Sequence, residues 1–107
     1  MDIAANLMIS PSISYAKDEI LSALKKDVIP DKIYWYGVTT SFEENSLMYI
    51  LSGLEYRHPM YHRKGKKLKL LCLAGSRQEA MEQVRCLVQQ HVDSHTLMEM
   101  KASLEAY

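Results

Sequence analysis

Residues 32–40, KIYWYGVTT, determine which of two architectures this chain adopts. Aromatic and β-branched residues dominate the segment, and such residues favour a strand. A short helix is the competing interpretation, because Ile33, Tyr36, Gly37 and Thr40 fall on one helical face and tertiary packing overrides propensity in short segments. The state of this segment, helix or strand, therefore decides how its neighbours are arranged.

On the N-terminal side, a helical pattern begins at Ser14 and ends before Pro30. Its apolar residues recur at three- and four-residue spacing: Ala16, Ile20, Ala23, Leu24 and Val28. Residues 1–13 are apolar without a period, and they are predicted to form an N-terminal arm.

On the C-terminal side, Ser41 and Glu44 have the spacing of a capping box, which predicts a helix from residue 41 to about residue 55. Pro59 prevents its continuation. Its apolar stripe comprises Phe42, Leu47, Ile50, Leu51 and Leu54.

Residues 60–74 have the pattern of a hairpin, with a short strand at residues 60–62, a turn around Gly65 and a second strand containing Leu68, Leu70 and Cys72. A second capping box at Ser76 and Glu79 then opens a long C-terminal helix. This helix either runs into the tail or breaks at residues 93–94.

The 107 residues, 48% of them apolar, suffice for one domain with its own core. The net charge is zero, so bulk attraction to nucleic acid or to a membrane is not expected. No apolar run is long enough to span a bilayer, and the first residues lack the bases of a signal peptide, which predicts a cytoplasmic protein. Cys72 and Cys86 are expected to be reduced.

Positive charge is concentrated in residues 57–69, RHPMYHRKGKKLK, which hold six of the 13 bases and no acid. One interpretation is a solvated hairpin whose lysines protect an edge strand from aggregation. The functional interpretation is a loop that contacts phosphates.

The stretch of residues 45–73 resembles the winged helix-turn-helix domains of bacterial transcription regulators. Residues 51–55, LSGLE, match the end of that family's recognition helix, Met60 matches the entry to the wing, and residues 63–67, RKGKK, match the wing tip. The resemblance extends back to Ile33 and covers about two thirds of the chain. It implies an α+β fold with an arm (1–13), a winged-helix core (14–75) and a C-terminal dimerisation helix (76–107).

The function implied by this resemblance is a DNA-binding transcriptional regulator that acts as a homodimer on double-stranded DNA. The recognition helix would supply contacts in the groove, and the wing would neutralise phosphates. The expected DNA-binding residues are Asn45, Ser46, Tyr49, Ser52, Arg57, Arg63, Lys64, Lys66 and Lys67. The expected dimer seam consists of Met81, Val84, Leu87, Val88, His91, Val92, His95 and Met98.

The main alternative is a small α/β protein-interaction module without DNA binding. In that interpretation residues 32–40 form a strand beside residues 67–73 within a parallel βαβ unit, and the basic run binds an acidic protein. A third interpretation is an inactive winged helix kept for dimerisation or for binding a regulatory protein.

Catalysis, cofactors and metals are not predicted. The chain has no Gly-rich phosphate loop, nucleophile elbow, HExxH or CxxC motif. The histidines form two i, i+4 pairs, His58 with His62 and His91 with His95. Pro59 disrupts the first pair, and the second is better explained by packing than by metal ligation.

Overall fold

The computed structural model describes residues 1–91 and 96–107. In this part of the chain, four strands form one mixed sheet: β1 (Asp2–Ile9), β2 (Tyr36–Thr40), β3 (Met48–Ser52) and β4 (Lys69–Ala74). The α-helices are α1 (Lys17–Lys25), α2 (Gly53–Tyr56), α3 (Arg77–Gln90) and α4 (Leu97–Glu105), with 3-10 helices at Pro11–Ala16 and Pro59–Tyr61. The mixed α+β class is confirmed, whereas the winged-helix architecture is not.

The strand order in the sheet is β1-β4-β2-β3. β1 runs parallel to β4, and β2 runs antiparallel to both β4 and β3. The two central strands are buried along almost their whole length, which explains why β4 has an unbroken apolar sequence instead of an alternating one.

Helices cover both faces of the sheet and define two apolar layers. On the first face, α1 and α2 pack over a cluster that includes Ile20, Trp35, Tyr56 and Leu70. On the second face, α3 and α4 contribute Ala80, Leu87 and Leu104, which pack with Val38 and Leu71 of the sheet.

The segment that decides the architecture is a strand, since residues 36–40 form β2 and Trp35 lies buried just before it. β2 pairs with β4, as the α/β alternative expects, but the pairing is antiparallel rather than parallel. A β-bulge interrupts it, because Val38 pairs with Cys72 and Thr39 with Leu70, which leaves Leu71 unmatched. The bulge lets Leu71 and Cys72 join the same apolar layer.

The helix predicted for residues 41–55 is wrong. Residues 48–52 form β3, whose Tyr49 and Leu51 face the first apolar layer while Met48 and Ile50 face the second. A strand that is apolar on both sides produces the same run of apolar residues as a helical stripe. The capping box that forms is that of Ser52 and Glu55, and it opens the four-residue helix α2.

Residues 1–13, for which the sequence indicates an arm of unknown order, contain the edge strand β1 at Asp2–Ile9. Ile3 pairs with Leu70 and Met8 with Cys72, so four residues of β1 lie opposite Leu71 alone. This irregularity removes the two-residue alternation by which a strand is recognised in sequence.

The first predicted helix is confirmed with different bounds: a 3-10 helix at Pro11–Ala16 precedes α1, which already ends at Lys25. It ends in a Schellman motif, in which the Val28 N–H bonds to the Ala23 carbonyl and Asp27 adopts a left-handed conformation with φ 58°.

Residues 59–61 form a 3-10 helix where the first strand of a hairpin was expected, since Pro59 begins a turn. The Ser76 hydroxyl caps α3 as predicted. Residues 93–94, where the C-terminal helix was open to either continuation or a break, lie outside the described residues.

Candidate functional site

We call residues 57–69 the basic segment; it connects α2 to β4. Within it, the Lys66 N–H bonds to the Arg63 carbonyl at 3.1 Å, and Gly65 has φ 78°, a conformation that L side chains rarely adopt. Residues 62–67 are exposed, so this tight turn presents Arg63, Lys64, Lys66 and Lys67 to solvent.

Buried groups hold both ends of the basic segment against the core. Tyr56, immediately before it, is buried in the first apolar layer, and Leu68 near its end is 1% exposed. The His62 Nε2 donates to the Tyr56 carbonyl oxygen, and the two rings lie 4.6 Å apart. The turn with the exposed bases is therefore fixed at its base.

Few carboxylates neutralise the positive charges of the basic segment. Lys67 Nζ lies 3.6 Å from Asp2 Oδ1 and 3.8 Å from Asp27 Oδ1. Asp27 is also bonded to the Met1 ammonium at 2.5 Å, and this hydrogen bond is the main cause that lowers the pKa of its carboxyl. Among the described residues, no carboxylate lies within ion-pair distance of Arg57, Arg63 or Lys64.

Three partly exposed rings continue the surface of the basic segment; we call Phe42, Tyr49 and Tyr61 the aromatic row. The centroids of Phe42 and Tyr49 are 6.4 Å apart and those of Tyr49 and Tyr61 are 5.4 Å apart, both pairs edge to face. All three rings pack on the first apolar layer. Lys66 Nζ lies over the Phe42 ring, 5.9 Å from its centroid, and joins the row to the basic segment.

The main-chain N–H of Phe42 donates to the Tyr49 hydroxyl at 3.3 Å, which fixes these two rings relative to each other. At the other end of the row, Tyr61 also contacts His58 and Tyr56. Burial raises the pKa of the Tyr61 hydroxyl, so it stays neutral at physiological pH. Tyr61 therefore presents an uncharged ring beside exposed cations.

The connection that carries Phe42 is fixed from the opposite side of the molecule. The ammonium of Lys101 in α4 donates to the carbonyl oxygens of Ser41, Glu43 and Ser46. One ammonium thus cross-links three backbone carbonyls of this connection, which forms neither helix nor strand.

The structure divides the nine residues expected to bind DNA. Arg57, Arg63, Lys64, Lys66 and Lys67 lie together in the basic segment. Asn45 and Ser46 lie in the connection before β3, and Tyr49 lies within β3. The Ser52 hydroxyl is engaged as the N-cap of α2, since it accepts from the Glu55 N–H at 3.1 Å. The recognition helix expected to carry the four groove-contacting residues is therefore wrong, because these residues share no helix.

Sequence reasoning missed Phe42 and Tyr61 as surface residues of the site. The sequence pattern places Phe42 in the apolar stripe of a helix that does not form, and Tyr61 in a short strand. The signal that identifies Tyr61 is the alternation of rings and bases within residues 56–63. No comparable signal marks Phe42, because its neighbourhood depends on the fold.

The expected dimer seam is partly used inside the subunit. Leu87 is 1% exposed, and Val84 packs against the same layer, so both contribute to the core instead of a seam. His91 donates from Nδ1 to the Leu87 carbonyl at 2.8 Å. Met81, Val88 and Met98 are exposed, at 58%, 38% and 81%. Val92 and His95 lie outside the described residues.

The other sequence candidates have local structural roles. His58 Nδ1 accepts from the Met60 N–H, whereas His62 bonds to Tyr56, so the two imidazoles of this pair have separate partners. Within residues 1–91 and 96–107, no group of three or more His, Cys, Asp or Glu side chains is arranged to hold a metal ion. Both cysteines are free, and burial raises the pKa of the Cys72 thiol to about 12.

Comparison of the chain with protein-family models, curated proteins and solved structures gives no significant match. In the part of the chain that the structure describes, no helix combines the length and apolar composition needed to cross a bilayer. The case for a function therefore depends on the basic segment and the aromatic row themselves.

Proposed function

We propose that this protein binds nucleic acid and that the basic segment contacts the phosphate backbone. The observation that supports this most directly is the exposure of Arg57, Arg63 and Lys64 without carboxylate partners among the described residues. Cations that neutralise phosphates release condensed counterions, which provides affinity without sequence readout. A chain of zero net charge acquires this property because six of its bases lie in one segment.

The proposed binding mode differs from that of a recognition helix in a groove. Residues 48–52 form β3, and α2 has only four residues, one turn of helix. The cations lie on a turn between α2 and β4, and this geometry supports contacts to the phosphate backbone of the nucleic acid. Double-stranded DNA is the first probe, because the resemblance to transcription regulators suggests it.

The test is fluorescence anisotropy of a labelled duplex against protein concentration, repeated over a series of salt concentrations. Roughly three to five phosphate contacts would produce a slope of log affinity against log salt between about −3 and −4.5. Replacing Arg63, Lys64 and Lys66 together by Ala is expected to weaken binding and to reduce the magnitude of that slope by roughly 2 to 3.

A charge-matched control separates the basic segment from general positive charge. Lys17, Lys25 and Lys32 are exposed outside the segment, and their joint replacement by Ala removes the same three charges. This control is expected to bind almost as the unmodified chain does. Equal losses in both triple variants, or no salt-dependent binding by the unmodified chain, would rule out the proposed role of the segment.

A protein-interaction module is the second candidate, and one observation favours it. β3 is an edge strand that pairs only with β2 in the described sheet, and Leu54 just after it is 69% exposed. An open strand edge beside an apolar side chain can accept a strand from another protein. Binding of this kind would respond little to salt, which distinguishes it from phosphate contact.

A further inference from the structure

We propose that single-stranded nucleic acid is the preferred ligand, with unpaired bases stacking on the aromatic row while the basic segment holds their phosphates. This inference rests on the proposed function and specifies its ligand. Its first support is the position of Lys66, whose ammonium lies over the face of Phe42, 5.9 Å from the ring centroid. This face of the ring is covered by a cation in the free protein, and a stacking base would displace the Lys66 ammonium toward its phosphate.

Tyr61 provides a second ring next to the same cations. It begins the stretch that leads to Arg63, and it lies 5.4 Å from Tyr49, the central ring of the row. Each ring is partly exposed and partly packed on the core, so the protein holds it in place before any ligand binds. Rings held in this way lose little conformational entropy when a base stacks on them.

Single strands can use these rings and duplexes cannot. In a duplex the faces of the bases are covered by their neighbours, whereas an unpaired base can rotate out of the base stack and stack on an aromatic side chain. A cationic surface that follows the backbone, combined with aromatic rings, is the usual composition of sites for single strands. By contrast, β3 and the one-turn helix α2 occupy the region where a recognition helix was expected.

The principal test keeps the protein unchanged and varies the probe. Anisotropy is measured with a labelled thymidine oligonucleotide, a duplex of the same length and an abasic strand that carries the same phosphates without bases. We expect the thymidine strand to bind tighter than both other probes at the same salt concentration. Equal affinity for the thymidine and abasic strands would overturn the inference, since stacking would then contribute nothing.

Variants of the row locate the stacking contact. Tyr61→Leu and Phe42→Leu remove a ring and keep an apolar side chain, and each is expected to weaken thymidine-strand binding by roughly 5- to 150-fold. As a control, Tyr15→Leu removes a ring that is 81% exposed and lies outside the row, and it is expected to bind as the unmodified chain does. Circular dichroism verifies that each variant is folded.

The same data separate this inference from the proposed function. Salt-dependent binding that is equal for duplex and single strand, or that is unaffected by both Tyr61→Leu and Phe42→Leu, would overturn the single-strand preference and leave phosphate contact in place. Absence of salt-dependent binding to every probe would overturn both.

Discussion

The indole nitrogen of Trp35 lies 2.7 Å from the position that a Cβ atom on Gly53 would occupy. Trp35 is 1% exposed, and a second glycine, Gly37, is close to it on another side, where an added Cβ would lie 3.1 Å from the indole. The largest side chain of the core therefore fits because two glycines leave space for it.

Gly53→Ala is expected to destabilise the protein by about 1–3 kcal/mol, because the added methyl group would overlap a rigid buried ring. Helix propensity alone predicts the opposite sign, since Gly53 is the first residue of α2 and alanine is the better helix former. Urea unfolding followed by the fluorescence of Trp35 measures the difference. Stabilisation by this substitution would show that the indole moves aside at little cost.

Asp27 contributes stability that depends on pH. Its ion pair with the Met1 ammonium holds the pKa of its carboxyl below the ordinary value of 3.8, so the contribution is present above that value and is lost as pH falls through the lower pKa of the folded state. Asp27→Asn tolerates the left-handed conformation but carries no charge. We expect the variant to melt at lower temperature than the unmodified chain at pH 7.

Melting curves between pH 7 and pH 2 measure this dependence, and the two proteins should converge at the acid end. The lowered pKa values of Glu55 and Glu79 affect both proteins equally, so the difference between the curves isolates Asp27. A difference that stays constant over the whole range would show that the carboxylate is not the source of the stabilisation.

Ser52 is expected to matter for folding and not for nucleic-acid binding. Its hydroxyl accepts from the Glu55 N–H while the Glu55 carboxylate accepts from the Ser52 N–H. Ser52→Ala should cost about 1 kcal/mol, the usual effect of removing an N-cap. The affinity for a labelled oligonucleotide should stay unchanged. Ser22→Ala, at an exposed position within α1, is the control and should be close to neutral. Weaker binding by Ser52→Ala at unchanged stability would show that Ser52 contacts the nucleic acid.

Substitutions at Leu87 and Met81 distinguish the buried side of α3 from a surface that associates with a second chain. Leu87→Ala should cost roughly 2–5 kcal/mol at every protein concentration, because the side chain is buried within one subunit. Met81→Ala should change the stability of the single subunit by no more than about 0.5 kcal/mol. Sedimentation across a range of concentrations tests the predicted homodimer. If the chain associates and Met81→Ala does not weaken association, the exposed side of α3 is not the seam.

Local signals in the sequence were sufficient for some elements. The Ser76 cap, the apolar run of β4 and the turn at Gly65 follow from residues that are close in sequence, and the structure confirms them. The strand formed by residues 36–40 was one of two open interpretations, and only its pairing with β4 settled the choice. These features depend on propensity, capping and burial, which act over a few residues.

The errors came from contacts between distant residues. β1 lacks alternation because four of its residues lie opposite Leu71, and β3 matches a helical stripe because both of its faces are buried. The aromatic row joins Phe42 to Tyr61 through Tyr49, and this proximity follows from the sheet. Only the basic segment, contiguous in sequence, could be identified before the fold was known.

The ammonium of Lys101 links two parts of the chain that are far apart in sequence. It is hydrogen-bonded to a carbonyl 60 residues earlier, in the connection that carries Phe42. Acylation of that amine would remove its charge and leave it one N–H to share among three carbonyl oxygens. A chemical modification on α4 would thereby loosen the Phe42 ring, about 60 residues earlier in the sequence, and change the first member of the aromatic row.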